Sequence, residues 1–150
     1  MERTFILIKP DAIQRNLFGE VVRRFELKGL KIVGLKMIRL SDALLDEHYA
    51  HHKDKPFFSD LKQFMMSAPV VAMVLEGENC VKAVRIIVGP TVGHDAPSGS
   101  IRGDLSMGVA TNIVHASDSP ESAEAEVRRF FRPDELFGYD KVDEGFIYQR

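Results

Sequence analysis

The sequence predicts an α+β fold: a ferredoxin-like split βαβ sandwich, with a four-stranded antiparallel sheet and helices packed on it. Three observations predict it. There are four short runs of β-type composition, amphipathic helical spacing falls between them, and the order is β-α-β, two small helices, β-α, a long loop and β-α. No repeat, linker or low-complexity tract divides the 150 residues, so one domain over 1–150 is expected.

"TFILIK" (4–9) is β-branched and apolar, which predicts a buried strand, and Pro10 stops it because it has no N–H to donate. Phe18, Val21, Val22 and Phe25 recur at i, i+3, i+4 and i+7, a helix that Gly29 can close from the left-handed region. Residues 30–40 return to extended character. Ser41 can cap a short helix carrying Leu44, Leu45, His48 and Tyr49, and Pro56 opens another carrying Phe57, Phe58, Leu61, Phe64 and Met65. "PVVAMVLEG" (69–77) is the next strand, and Asn79 can cap a helix ending at Gly89. Residues 89–108, rich in Gly, Pro and Ser, form a loop too long for mere connection and so a candidate functional segment. "IVHA" is the last strand; Ser119 as N-cap with Pro120 at N1 starts the last long helix.

Composition narrows the function. Apolar content of 45% with 28% charged residues matches a globular protein, and no apolar stretch approaches the roughly 20 residues that cross a bilayer. The run before Lys9 is too short for a signal peptide, and the lone Cys80 cannot form an internal disulfide, so a cytoplasmic protein without membrane partners is expected. A formal net charge of −2 gives no bulk attraction to nucleic acid, so a polyanion must meet a local basic site.

Several polar residues stand where the pattern wants apolar ones. In the last helix Ala123, Val127 and Phe130 form the core-facing stripe, and Glu126 falls on it while Glu121 and Glu124 project outward. A buried carboxylate costs several kcal/mol unless paired. His115, one loop away, can donate a ring N–H to Glu126, which would leave its other nitrogen as a base or nucleophile. Pairing of Glu126 with Arg129 or Arg23 is the plainer alternative. Arg85 sits among Val81, Val84 and Val88, Lys9 ends a buried strand, and Arg102 is flanked by glycine in "GSIRGD". Each alone can be a solvated side chain. Together, three cations, a histidine and a buried carboxylate suit a substrate bearing several phosphates, with histidine accepting the transferred group.

Other chemistries lack their motifs. There is no Walker A loop and no pairing of H-R-D with D-F-G. His48, His51 and His52 have helical spacing, but H-E-x-x-H is absent and a polar helix end explains them. No strand offers the stacking aromatics of an RNA-recognition module, which argues against nucleic acid as a partner.

Across nearly its whole length the chain resembles nucleoside diphosphate kinase. The likeness runs through "ERTFILIKPDAIQR", "GEVVRRFELKGLKIVGLKM", "HYAHHKDKPFF", "PVVAMVLEG" and "GSIRGDL" to "NIVHASDSPESAEAE", which carries the family's signature around its phosphorylated histidine. The resemblance implies ping-pong transfer of the γ-phosphate from a nucleoside triphosphate to a nucleoside diphosphate through a phosphohistidine. It makes His115 the nucleophile and Glu126 the acid that holds its ring, with Tyr49 beside the histidine and Ser117 and Asp118 supporting it. By the same likeness Arg85, Thr91 and Arg102 are phosphate contacts, Lys9 and Asn112 sugar contacts near the transferred group, and Phe57 the aromatic that stacks on the base, with Leu61 and Val109 in support. Stacking and sugar contacts imply broad base specificity. Mg2+ is implied as cofactor, arriving on the nucleotide phosphates and not in a protein cage. The tail "GFIYQR" resembles that of hexameric members, implying a homo-oligomer, a hexamer of three dimers before a tetramer. The chain departs from the family in Ala12 for glycine, in "TVG" (91–93) for T-N-P, and in "PSGSIRGD", where the proline has moved to Pro97 and Ser98 precedes Gly99. A nucleotide-binding regulator without turnover is the rival reading; the intact set of catalytic positions argues against it. Finally, Asn112 and His115 lie three apart and cannot share a face of a regular strand, so irregular backbone is expected near Asn112 with Glu126 behind the histidine ring.

Overall fold

The computed structural model describes residues 1–150, and its architecture follows from alternation along two central strands. In β1 (Glu2–Ile8), Phe5 and Leu7 point into one core, while Ile6 and Ile8 point into the other. In β3 (Val70–Gly77), Val70, Ala72 and Val74 join the first core and Val71, Met73 and Leu75 the second. Both strands are therefore covered on both faces, which is why they read as continuous apolar runs. The sheet is antiparallel in the order β2-β3-β1-β4, with β2 at Lys31–Ile38 and β4 at Val114–Ala116. This is the predicted ferredoxin-like sandwich.

On one face lie α2 (Phe18–Leu27) and α5 (Cys80–Val88), which bury Val21, Phe25, Val84 and Val88. On the other lie α3 (Asp42–His48), α4 (Phe58–Met65) and α7 (Pro120–Phe130), which bury Leu45, Phe58, Met65, Val127 and Phe130. Each such fully buried side chain contributes about 1.5–3 kcal/mol. The caps at Ser41 and Ser119 form as expected: each hydroxyl accepts a backbone N–H of its helix, from Leu44 and Ser122 respectively. Gly29 closes α2 at φ +93°.

Three local expectations are corrected. Asn79 takes φ +51° and makes no side-chain cap; Glu2 reaches across from β1 to accept the Val81 N–H at 2.9 Å. Pro56 lies two residues ahead of α4, whose N-cap is Phe57. Short elements also appear where none was expected: α1 (Pro10–Gln14), α6 (Ile101–Leu105), α8 (Glu144–Ile147) and 3-10 turns at Ala50–His52, Gly93–Asp95 and Pro133–Glu135. Five-residue helices are too brief to display a 3.6-residue period. Two of these elements position polar residues discussed below: α1 follows directly on Lys9, and α6 carries Arg102. No helix is long and apolar enough to cross a membrane.

Candidate active site

β4 is only three residues long and pairs with the end of β1, His115 opposite Leu7. That register puts the imidazole on the α7 face, against the Phe5 ring at 6.0 Å and the His48 ring at 4.8 Å between centroids. Behind it, His115 Nε2–H donates to Glu126 Oε2 at 2.7 Å, the carboxylate fixing the tautomer. Ser117 Oγ donates to the same oxygen at 3.1 Å and itself accepts the Phe5 N–H at 3.2 Å. Glu126 is 8% exposed, and Arg129 is taken up by Glu47 and His48, so the plainer pairing with Arg129 is not the one formed. With Nε2 bound, the His115 Nδ1 lone pair is left for chemistry.

The strand begins only at Val114, because Ile113 sits at φ +76° in a three-residue turn closed by Val114 N–H to Asn112 O at 2.9 Å. Such a turn is rare and strained. It changes the chain direction between Asn112 and His115, which a regular strand would hold on opposite faces.

Three cations gather around this turn. Lys9 Nζ donates to Asn112 Oδ1 at 2.7 Å and to the Ala110 carbonyl at 3.4 Å, keeping one N–H uncommitted. Asn112 in turn donates Nδ2–H to the Thr91 carbonyl at 2.9 Å, tying the loop to the turn. Arg102, only 4% exposed, donates to the carbonyls of Asn112, Gly89 and Val114 and keeps two of its five N–H groups uncommitted. Arg85 donates to the Ala116 carbonyl at 3.2 Å, so the two arginines grip the residues on either side of His115. The cations repel one another. Burial, then Arg102, lowers the Lys9 ammonium from 10.5 to about 8, and burial, then Arg85, lowers Arg102 to about 10. Mutual repulsion of this kind is relieved by a polyanion.

Any attraction of Lys9 for an anionic substrate needs its proton, so kcat/KM for such a substrate is expected to fall as pH rises through about 8. A Lys9→Arg enzyme, charged throughout, should lack that limb in a steady-state pH profile. Stability runs the other way, because a folded pKa below the unfolded one makes folding release a proton between about 8 and 10.5.

Tyr49 is buried beside His48, and burial together with Glu126 raises its phenol above the usual range, keeping it protonated. Phe57 is 48% exposed and meets the His52 ring edge to face at 5.3 Å, so it is not a core aromatic. Leu61 is half-buried against the core, whereas Asp118, Thr91 and Val109 are exposed.

The loop whose sequence departs from the family pattern is closed on itself. The Pro97 carbonyl accepts from Ser100 N and Oγ, Asp104 accepts the Gly99 N–H, and Arg24 grips both Asp104 and the Gly99 carbonyl. Glycine beside Arg102 serves this closure: a Cβ on Gly103 would meet the Pro97 oxygen at 1.9 Å.

Sequence reasoning passed over His48 as a member of the site. Arg129 donates to its Nδ1 at 3.1 Å, so Nε2 carries the proton, buried and without a partner. Burial, then His115, pushes its pKa down to about 2, so the ring is neutral. No three His, Cys, Asp or Glu side chains converge as a metal-ligand group.

The nucleoside diphosphate kinase family model matches residues 2–136. A nucleoside diphosphate kinase from Archaeoglobus fulgidus is 52% identical over 149 residues, 99% of each chain. Nucleoside diphosphate kinase A of Rattus norvegicus is 53% identical over 99% of this chain and 97% of its own. Among solved structures, a halophilic nucleoside diphosphate kinase from Halobacterium salinarum in complex with CDP superposes with TM-score 0.96 at 45% identity, covering 98% of both chains.

Proposed function

Because this chain belongs to the nucleoside diphosphate kinase family, which exchanges the γ-phosphate between nucleoside tri- and diphosphates, we propose that His115 Nδ1 is its phosphoryl acceptor. One observation carries the assignment: Glu126 occupies Nε2 and leaves the Nδ1 lone pair free, on a residue whose neighbouring carbonyls are held by Arg102 and Arg85.

In the first half-reaction the Nδ1 lone pair forms a bond to the γ-phosphorus. The bond to the bridging oxygen breaks, and its electron pair leaves with the nucleoside diphosphate. Lys9, Arg85 and Arg102 stabilise the negative charge gathering on the phosphoryl and leaving oxygens, each through N–H groups not spent on the protein. The ring becomes a cationic phosphoimidazolium whose Nε2–H faces Glu126, a charge-assisted bond that strengthens as transfer proceeds. The second half-reaction reverses these steps with a different diphosphate oxygen as nucleophile. Water is a competitor, and Tyr49, Phe5 and Phe130 wall the apolar side of the ring pair.

The family uses a divalent metal, and Mg2+ is the ion proposed here. When bound it would neutralise phosphate charge, and the donor set fits its arrival on the nucleotide: the cluster is cationic and Glu126 is already shared between His115 and Ser117. Asn112 and Lys9 would reach the sugar and transferred phosphate, Arg85, Thr91 and Arg102 the phosphates, and Phe57 the base, with Asp118, Leu61 and Val109 supporting. A cytoplasmic homo-oligomer, a hexamer before a tetramer, completes the reading within one domain over 1–150. Its support is the edge strand β2, which leaves Leu35 and Met37 exposed.

The test is half-reaction chemistry: γ-labelled ATP should leave label on isolated protein, and unlabelled GDP should then remove it as labelled GTP. Nucleotide binding with no transferable label would favour the regulator. For the base site, Phe57→Ala is expected to raise KM about tenfold, evenly for purine and pyrimidine nucleotides, at unchanged thermal stability. Steady-state kinetics with several diphosphates measures this; a loss confined to one base would refute a stacking role.

A further inference from the structure

We propose that Asp11 is a positioning residue for phosphoryl transfer, its carboxylate locking the strained turn at Ile113 that brings Asn112 and His115 to one site. The inference rests on His115 being the phosphoryl acceptor.

Ile113 is β-branched and stands at φ +76°, a strained conformation that persists only where surroundings over-determine it. Its polar groups show how. The Ile113 carbonyl accepts the Lys9 N–H at 2.9 Å, Val114 N–H closes the turn onto Asn112 O, and Arg102 Nε donates to that same oxygen at 3.2 Å. The remaining group, the Ile113 N–H, donates to Asp11 Oδ2 at 3.0 Å. No strand neighbour takes this N–H, because the turn has rotated it out of the ladder.

Asp11 is specialised for that contact. Its side chain makes no other hydrogen bond, and Oδ1 lies buried without a partner. A buried carboxylate oxygen without a donor is costly and is retained where the other oxygen is needed. Placement comes from α1, where Pro10 at N1 turns the chain directly after Lys9 and sets Asp11 in the first helical turn. Lys9 and Asp11 thus hold the same turn from its carbonyl and its N–H.

Without the lock, Ile113 is free to relax to an ordinary negative φ. Asn112 would then rotate away from Lys9 and Thr91, and the carbonyls of Asn112 and Val114 would leave Arg102. A shift of about 1 Å in such groups costs on the order of 100-fold in rate. A residue that merely held the fold would lower thermal stability and leave turnover of the folded enzyme alone.

The experiment compares Asp11→Ala with Asp11→Asn in the full chain, near neutral pH and well below each melting temperature. Asp11→Ala, folded by its cooperative melt, is expected to lose about 100-fold in kcat/KM, with kcat itself falling. Asp11→Asn keeps an oxygen to accept the Ile113 N–H and is expected within about fivefold of the unsubstituted enzyme. Asp11→Ala within about threefold of that enzyme, or Asp11→Asn as damaged as Asp11→Ala, overturns the proposal. Should Asp11→Ala not fold, Asp11→Leu, which keeps the volume without an acceptor, takes its place under the same limits: a loss of about 100-fold in kcat/KM by the folded variant upholds the proposal, and activity within about threefold overturns it. Label on His115 is followed alongside in the unsubstituted enzyme. Its absence there defeats the phosphohistidine assignment, whereas its presence with an unimpaired Asp11→Ala defeats only the role of Asp11.

Discussion

Replacing His115 by alanine is expected to abolish phosphoenzyme formation and to lower kcat/KM by on the order of 10⁵-fold or more, because the acceptor nitrogen held by Glu126 is gone. His48 is the nearest imidazole, but its Nδ1 accepts from Arg129 and its Nε2 is protonated, so it has no free lone pair to substitute. The fold should survive the change. His115 is on a three-residue edge strand, partly exposed, and its loss leaves the Phe5–Phe130 stack at 4.4 Å in place. Nucleotide binding should accordingly persist, since Lys9, Arg85, Arg102 and Phe57 remain. Label from γ-labelled ATP should be acid-labile and alkali-stable in the unsubstituted enzyme and absent from the variant. Retained transfer by His115→Ala would refute the mechanism.

The second large effect belongs to Glu126. Glu126→Ala is expected to lower kcat by about 100-fold, the worth of a charge-assisted hydrogen bond that grows as the ring becomes cationic. It also releases the tautomer, so part of the population would present Nδ1–H instead of a lone pair. Glu126→Gln separates these contributions. Its amide oxygen can still accept from Nε2–H, holding the tautomer without supplying charge, and a loss nearer tenfold is expected. KM should move little in either, because Glu126 contacts the ring and Ser117 and none of the cations. Rapid-quench measurement of phosphoenzyme formation checks both; equal rates for the three enzymes would remove Glu126 from the mechanism.

How far the site was legible depended on whether a residue broke a local pattern. Glu126 on an apolar stripe, Arg85 among valines, Lys9 ending a buried strand and the histidine of "NIVHASDS" each did, and the structure brings all four into one cluster with Arg102. The strands were legible for the same reason, since burial of β1 and β3 on both faces leaves continuous apolar runs. What stayed hidden was held by partners far away in sequence. The spacing of Asn112 and His115 predicts irregular backbone there, and the structure has it, but isoleucine is among the last residues expected at positive φ and nothing nearby reveals the partner of its N–H, because Asp11 is 102 positions away. Asn79 was misread because asparagine serves equally as N-cap and as a left-handed residue, and the capping carboxylate comes from Glu2. His48 could be placed on the buried face of α3, yet its tautomer is set by Arg129 on another helix, and its neutral state by burial and then His115. The helices α1 and α6 were below the length at which periodicity speaks, although they carry Asp11 and Arg102.

The central claim is that Glu126 commits Nε2 and leaves Nδ1 to take the phosphoryl group. The most direct measurement is the identity of the phosphohistidine isomer at His115, read by 31P NMR of the phosphorylated protein or by separating the isomers after alkaline hydrolysis. Phosphate on Nδ1 of His115 is the predicted result; phosphate on Nε2, or on any other residue, would contradict it.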